Sequence, residues 1–213
     1  MKNLKITILT DNPDSWIIPY ARSLFFALNE HHMVQHIYCH EEIEEGDVLI
    51  LLSCERILKK EKLKKHKSNI VIHPSALPEG KGWSPLAWQV LAGRNIISIT
   101  LFEAIEQVDS GDIYLQGEIR LRGDELNGEI KAKQGLETCR LVKEYISKYP
   151  MQGIPQGQGE SFYRKRKQKD NQLDVDKTLA EQFNLLRIID NERYPAWFHH
   201  KGCQYAVTIK KIK

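Results

Sequence analysis

Residues 4–10, LKITILT, form an unbroken apolar and β-branched run of the kind buried on both faces of a parallel sheet. Behind it, Ile17, Tyr20, Ala21, Leu24, Phe25 and Leu28 recur at helical spacing. Asp14 or Ser15 offers the cap, and Pro19 falls in the first turn, where its missing N–H costs little. Further strands are expected at 32–40 (HMVQHIYCH), 47–53 (DVLILLS) and 69–73 (NIVIH). Between the last two, ERILKKEKLKKHK reads as a short exposed helix.

The second half changes character. SPLAWQVLAG (84–93) is helical in pattern; IISITLFEAI (96–105) and GDIYLQGEIRL (111–121) read as an antiparallel extension hinged at EQVDSG. Residues 123–150 predict a long amphipathic helix with Leu126, Ile130, Leu136, Leu141, Val142, Tyr145 and Ile146 inward, stopped by Pro150. A Gly/Gln/Pro linker follows, then one helix at about 175–190 and a final strand in CQYAVTIKKIK. Strands alternating with helices predict an α/β fold: a mostly parallel twisted sheet, Rossmann-like, with helices on both faces. The expected division is a catalytic domain over 1–150 and a linker with a small C-terminal extension over 151–213.

Composition narrows the class. Thirty-one Lys and Arg against 28 Asp and Glu give a formal charge of +3, far from the footprint of an obligate nucleic-acid binder. Cys39, Cys54, Cys139 and Cys203 are scattered, which reads as reduced thiols, with neither a disulfide framework nor a metal site. The N-terminus has no signal-peptide pattern, and no apolar run reaches the ~20 residues that span a bilayer. A cytoplasmic protein without a membrane partner is expected.

In open α/β sheets ligands sit beyond the carboxyl ends of the strands, where Asp11, Asn12, Ser53, Cys54 and His73 fall. No G-x-G-x-x-G follows the first strand and no G-x-x-x-x-G-K-[ST] occurs, which argues against a dinucleotide enzyme or a P-loop NTPase. What stands out is HPSALP at 73–78 with Gly82 close behind, and VDSG at 108–111 with Asp109 lying 36 positions after His73.

Those two motifs, in sequence and spacing, resemble the formyltransferases that use 10-formyltetrahydrofolate, which share a strand-terminal His in an H-x-S-x-L-P loop and an Asp in a D-x-G loop. The resemblance covers residues 1 to about 120. The tail segments FYRKRKQKDNQLD and EQFNLLRIIDNERYPAWF look like the branch that modifies nucleotide-linked aminosugars. The C-terminal domain expected of tRNA formyltransferases, roughly 100 residues by that resemblance, has no room here.

The resemblance implies a formyl-donor co-substrate, 10-formyltetrahydrofolate, and no metal. It implies His73 as general base and Asp109 as the group that fixes its tautomer and stabilises its charged form; an imidazole titrates near ~6.5, so it is mostly a base at neutral pH. Arg56, Ile57 and Leu58 stand where the pterin pocket is lined, with the main chain of Ala104, Ile105 and Glu106 opposite, and Lys59 or Lys60 near the folate carboxylates. Asn12, Trp16, Ser75, Arg187, Asn191 and Tyr194 are expected to meet the substrate, with Tyr163 and Asp190 nearby.

One departure matters. The family places an Asn two residues before the His, to polarise the formyl oxygen; this chain has Val71. Asn69 is the nearest amide and a catalytic candidate, yet four residues at ~3.3 Å each put it about 13 Å along the strand. A plain role at the strand start competes with catalysis, and Ser84 or a main-chain N–H are other donors.

The leading expectation is formyl transfer to a nucleotide-linked aminosugar by a protein that could dimerise through its aromatic tail. Glycinamide ribonucleotide, aminoacyl-tRNA or an aminoacyl carrier are alternative acceptors, and a folate-binding sensor without activity is a third reading. Trp83 and Trp88 read first as loop packing, RKRKQK (164–169) and KKEKLKK as solvated basic segments, and His199 and His200 as surface residues.

Overall fold

The computed structural model describes residues 3–212. Five sheet pairings follow the order in which apolar runs leave and re-enter the core. Strands β1 (Lys5–Leu9), β2 (Met33–Ile37), β3 (Gly46–Leu51), β4 (His66–His73), β6 (Ile96–Glu103) and β7 (Ile113–Arg120) make one sheet in the order β2-β1-β3-β4-β6-β7. The first three pairings are parallel; β6–β7 is antiparallel, as the hinge at EQVDSG predicts, and β4–β6 is antiparallel as well.

Alternation sorts the side chains between two faces. Ile6, Ile8, Val48, Ile50 and Ile70 join the main core beneath α1 (Ile18–Asn29), α3 (Pro85–Leu91) and α4 (Asn127–Ser147), whereas Leu9, Leu49 and Leu51 face a smaller cluster with Ile37, Ile43, Leu58 and Leu63. Burial of a leucine or isoleucine side chain stabilises by roughly 1.5–3 kcal/mol, so both faces drive the same register. Helices α1 and α4 pack closely because Gly135 has no side chain: a Cβ there would lie 2.5 Å from the Tyr20 ring.

Cover on the two faces is unequal. On the second face the lysine-rich segment condenses to one turn, α2 (Lys60–Leu63), in which only Leu63 is buried. Residues 53–59 stay irregular, which leaves this face open beside the carboxyl ends of β3 and β4.

Several expectations change. Helix α1 starts at Ile18 with no side-chain cap, since residues 12–17 form turns instead, Ser15 N–H bonding to Asn12 O. Leu136 is 65% exposed rather than inward, on the solvent side of α4. The predicted helix at 175–190 shortens to α5 (Phe183–Ile188). The last strand, β10 (Cys203–Val207), pairs in a hairpin with an unforeseen β9 (Ala196–His200). Two short unforeseen strands, β5 (Lys81–Gly82) and β8 (Phe162–Tyr163), pair parallel. They tie the segment after Pro150 to the loop after β4, and Ile154 also exchanges main-chain bonds with Ile113.

Candidate active site

His73 closes β4 and Asp109 sits in the loop between β6 and β7, and the fold brings the two together: Nδ1 lies 3.7 Å from Asp109 Oδ1, each side chain 10% exposed. That is an ion-pair distance, too long for a hydrogen bond. The other ring nitrogen is engaged, with Nε2 2.9 Å from the carbonyl oxygen of Gly80. A carbonyl can only accept, so Nε2 carries the proton and, in the neutral ring, Nδ1 keeps the lone pair that faces Asp109. The tautomer is therefore set by Gly80, where Asp109 was expected to set it.

The carboxylate is held independently. Asp109 has φ +54°, a left-handed conformation that Asp tolerates better than most residues, and its Oδ2 accepts the N–H of Gly82 at 2.9 Å. Gly80 and Gly82, at φ +72° and +94°, thus address the two members of the pair from one loop. Gln156 donates from Nε2 to the carbonyls of Asp109 (3.0 Å) and Gly111 (2.8 Å). These supports were invisible in the sequence because they are main-chain groups or one amide in a Gly/Gln linker.

The place of the family's Asn is filled by Val71, which packs against Leu51 and its neighbours in the second-face cluster. Asn69 does not replace it. Its main-chain N–H and its Nδ2 both donate to Glu103 Oε1, at 2.8 and 3.3 Å, and Glu103 Oε2 also accepts from Ser68 and Tyr114. Asn69 is thereby committed to a buried polar network with Tyr145, and the burial of Tyr114 pushes its phenol up to about 12. Ser75 is buried beneath the loop, not presented on it, with its hydroxyl unpartnered. Ser84, at φ +51°, stands before α3.

Ile57, Leu58, Lys59, Lys60, Glu61 and Glu106 line a hollow of about 460 Å³, so three residues expected at a pterin pocket meet there. Lys60 and Glu106 form an exposed ion pair at 3.1 Å across it. Arg56 is fixed by its main chain: the N–H groups of Glu55 and Arg56 donate to Asp11 at 2.8 and 2.9 Å, and His40 Nε2 stands 3.3 Å from the same carboxylate. Ala104 packs on the second-face cluster, and Ile105 is exposed beside it. Behind this loop, burial, followed by the Asp11 charge, pushes the Cys54 thiol up to about 12, so it is an unreactive packing group. The hollow and donor set suit a flat, amphipathic ligand with acidic ends.

Of the residues expected at the substrate, Asn12 remains on this side, bonded to Glu55 and to the N–H of Asp14. Trp16 is half-buried and packs edge-on against Tyr20. Arg187 is a correction: it is 1% exposed and bridges Glu125 at 3.3 Å, holding α5 to the loop before α4. Asn191 is exposed and exchanges hydrogen bonds with the main chain of Ile209. Tyr194 is 65% exposed. In the basic segment, Arg164 lies over Trp88 and Lys165 over Trp83, both at 4.7 Å, so Trp83 presents a cation-flanked aromatic face near the loop. Among the described residues no cluster of three or more potential metal ligands occurs, and no helix is long and apolar enough to cross a membrane.

Comparison with known proteins bears on the family and the fold. The family model described as formyl transferase matches residues 27–139. A methionyl-tRNA formyltransferase of Fervidobacterium nodosum is 30% identical over 120 residues, covering 56% of this chain and 39% of that protein. The chain spans 39–55% of the length of the curated relatives it matches. Among solved structures, a methionyl-tRNA formyltransferase from Clostridium thermocellum superposes with a TM-score of 0.84 at 20% identity, covering 99% of this chain and 94% of that one. A likely sugar N-formyltransferase from Mycobacterium tuberculosis superposes with a TM-score of 0.74 at 20% identity, covering 99% of each chain.

Proposed function

The chain belongs to the formyl transferase family, and from that premise we propose that it transfers a formyl group from 10-formyltetrahydrofolate to the amine of a nucleotide-linked aminosugar. The observation that carries the reading is the meeting of His73 Nδ1 and Asp109 beside an open second face. In the reaction the neutral amine attacks the formyl carbon and the carbonyl electron pair moves to oxygen. Nδ1 takes the proton that leaves the attacking nitrogen, giving an imidazolium beside Asp109. Collapse breaks the bond to the folate nitrogen, which takes the proton from the imidazolium, so the ring returns to neutral and charge and atoms balance. A positioned base of this kind contributes about 10²–10⁴-fold.

The hollow at Ile57, Leu58 and Glu106 is the proposed seat of the pterin, with Lys59 on its lining available to an acidic end; Arg56, Ala104 and Ile105 adjoin the lining residues in sequence. Trp83, Lys165 and Asn12 are the groups we assign to the nucleotide-bearing partner, since an aromatic face beside a cation suits a base and its phosphates. Aminoacyl-tRNA is the second reading, favoured by the methionyl-tRNA formyltransferases among the sequence relatives.

Single-turnover assays with 10-formyltetrahydrofolate against nucleotide aminosugars and methionyl-tRNA separate the readings. Formylation of the sugar amine supports the first, formylation of the tRNA the second. Folate binding without transfer to any amine would leave a sensor, the reading that the missing amide at Val71 favours.

A further inference from the structure

The loop that carries Gly80 and Gly82 makes few bonds of its own. Its bonds run instead to residues 160–163: Gly80 N–H donates to Ser161 Oγ (2.8 Å), Lys81 N–H to Ser161 O (2.9 Å) and Trp83 N–H to Tyr163 O (3.0 Å). Contact is close enough that a Cβ on Gly82 would lie 2.4 Å from Tyr163 O. Seven residues upstream of Tyr163, Gln156 carries the Asp109 arm through its two donated bonds; its Oε1 is buried without a partner, so the donor half is what places it. Lys81 joins the arms. It is 2% exposed, and its ammonium is shared between Ser110 Oγ (3.0 Å) and Glu160 (2.5 Å), with the Phe162 ring at 6.0 Å. Ser110 follows Asp109, and Gly82, which follows Lys81, donates to the Asp109 carboxylate.

We propose that residues 154–163 act as a strap across both arms of the site, with Gln156 and the Lys81–Glu160 pair, buried at Lys81 and half-exposed at Glu160, as positioning residues that hold His73 and Asp109 in register. This rests on the formyl-transfer reading. The segment lies beyond the residues that the family model matches, and its composition reads as a linker. A buried ammonium is costly without an anion, so Lys81 holds Glu160 against it and the strap stays in place. Gly80 then presents its carbonyl to Nε2, which keeps the base on Nδ1.

The test uses the full chain with Gln156→Glu, Lys81→Met, Lys81→Arg and Ser161→Ala, each checked for a cooperative melt. Gln156→Glu places a carboxylate against two carbonyls, and Lys81→Met removes the cation. Both should lower kcat about 10-fold or more while KM for the folate donor stays within about twofold, a transition-state effect rather than a binding one. Lys81→Arg should recover most of the loss. Independently of activity, ¹⁵N resonances of His73 should report the Nε2–H tautomer in the native chain and a mixture in Gln156→Glu and Lys81→Met. If Lys81→Met does not fold, Ser161→Ala, which removes one bond to Gly80, carries the same expectation in milder form. Folded variants with native kcat and a native His73 spectrum overturn the strap. If the native chain transfers no formyl group, the functional reading fails and the spectrum alone decides the strap.

Discussion

The carbonyl of Gly80 accepts the Nε2–H of His73 at 2.9 Å, which leaves Nδ1 as the basic atom, 3.7 Å from Asp109. Asp109 then has its largest effect after the imidazole has taken a proton, when a carboxylate beside it lowers the energy of the charged ring. Asp109→Asn should therefore cost about 10²-fold or more in the transfer step while folate binding changes little. Equilibrium titration with tetrahydrofolate beside single-turnover rates checks the split.

Val71 occupies the position where the family has an amide, among the apolar side chains of the second-face cluster. A single oxyanion donor is worth about 10²–10³ in rate where one is fully used. Val71→Asn should raise the single-turnover rate, at a stability cost of about 1–3 kcal/mol for a buried polar group with incomplete partners. An unchanged rate in a folded variant would mean that another group already supplies the bond.

Asn69 is committed to Glu103. Asn69→Ala should cost about 1 kcal/mol, since a partly buried carboxylate oxygen loses one side-chain partner and keeps the main-chain N–H, and should leave turnover within a few-fold. Urea melts and initial rates test both halves, and a loss as deep as that of His73→Ala would restore Asn69 to the chemistry.

Arg187 and Glu125 are each about 1% exposed and face one another at 3.3 Å. Arg187→Met should cost about 1.5–3 kcal/mol by removing one charged partner of a buried carboxylate that keeps Lys133 at 2.7 Å and the N–H groups of Arg122 and Gly123. KM for the formyl acceptor should not move, which distinguishes this structural pair from a substrate contact.

His66 is buried against Gly46 with Nε2 3.0 Å from Thr7, and burial, followed by the charge of Lys5, lowers its pKa to about 4. Between about pH 6.5 and 4 the unfolded chain binds a proton that the folded one resists, so stability is full above that window and declines as pH falls through it. His32 and His36 are lowered too, both chiefly by burial, and act in the same direction. Denaturant melts across the window should show this decline, and His66→Gln should flatten part of it.

Much of the fold was legible because apolar alternation decides which strands are buried on both faces. Ile6, Ile8, Leu9 and Val48 to Leu51 announce a parallel centre, and the hinge at Asp109 announces the antiparallel edge. His73 and Asp109 were legible through two motifs, HPSALP and VDSG, whose sequence and spacing resemble the formyltransferase family. The same reasoning failed where partners are distant or belong to the main chain. Arg187 carries a charge that suggests a ligand, but Glu125, 62 positions away, claims it. Asn69 has the right chemistry and strand face, but Glu103 reaches it from β6. Gly80 and Gln156 reveal nothing in sequence, because a carbonyl is common to every residue and an amide in a linker has no pattern.

The most direct measurement follows a labelled formyl carbon from 10-formyltetrahydrofolate to an amine in a single turnover, with the native chain and with His73→Ala. The account predicts label on the amine in the native chain and a rate at least ~10²-fold lower in the variant, whose folate affinity is retained. Equal rates in the two folded proteins would contradict it.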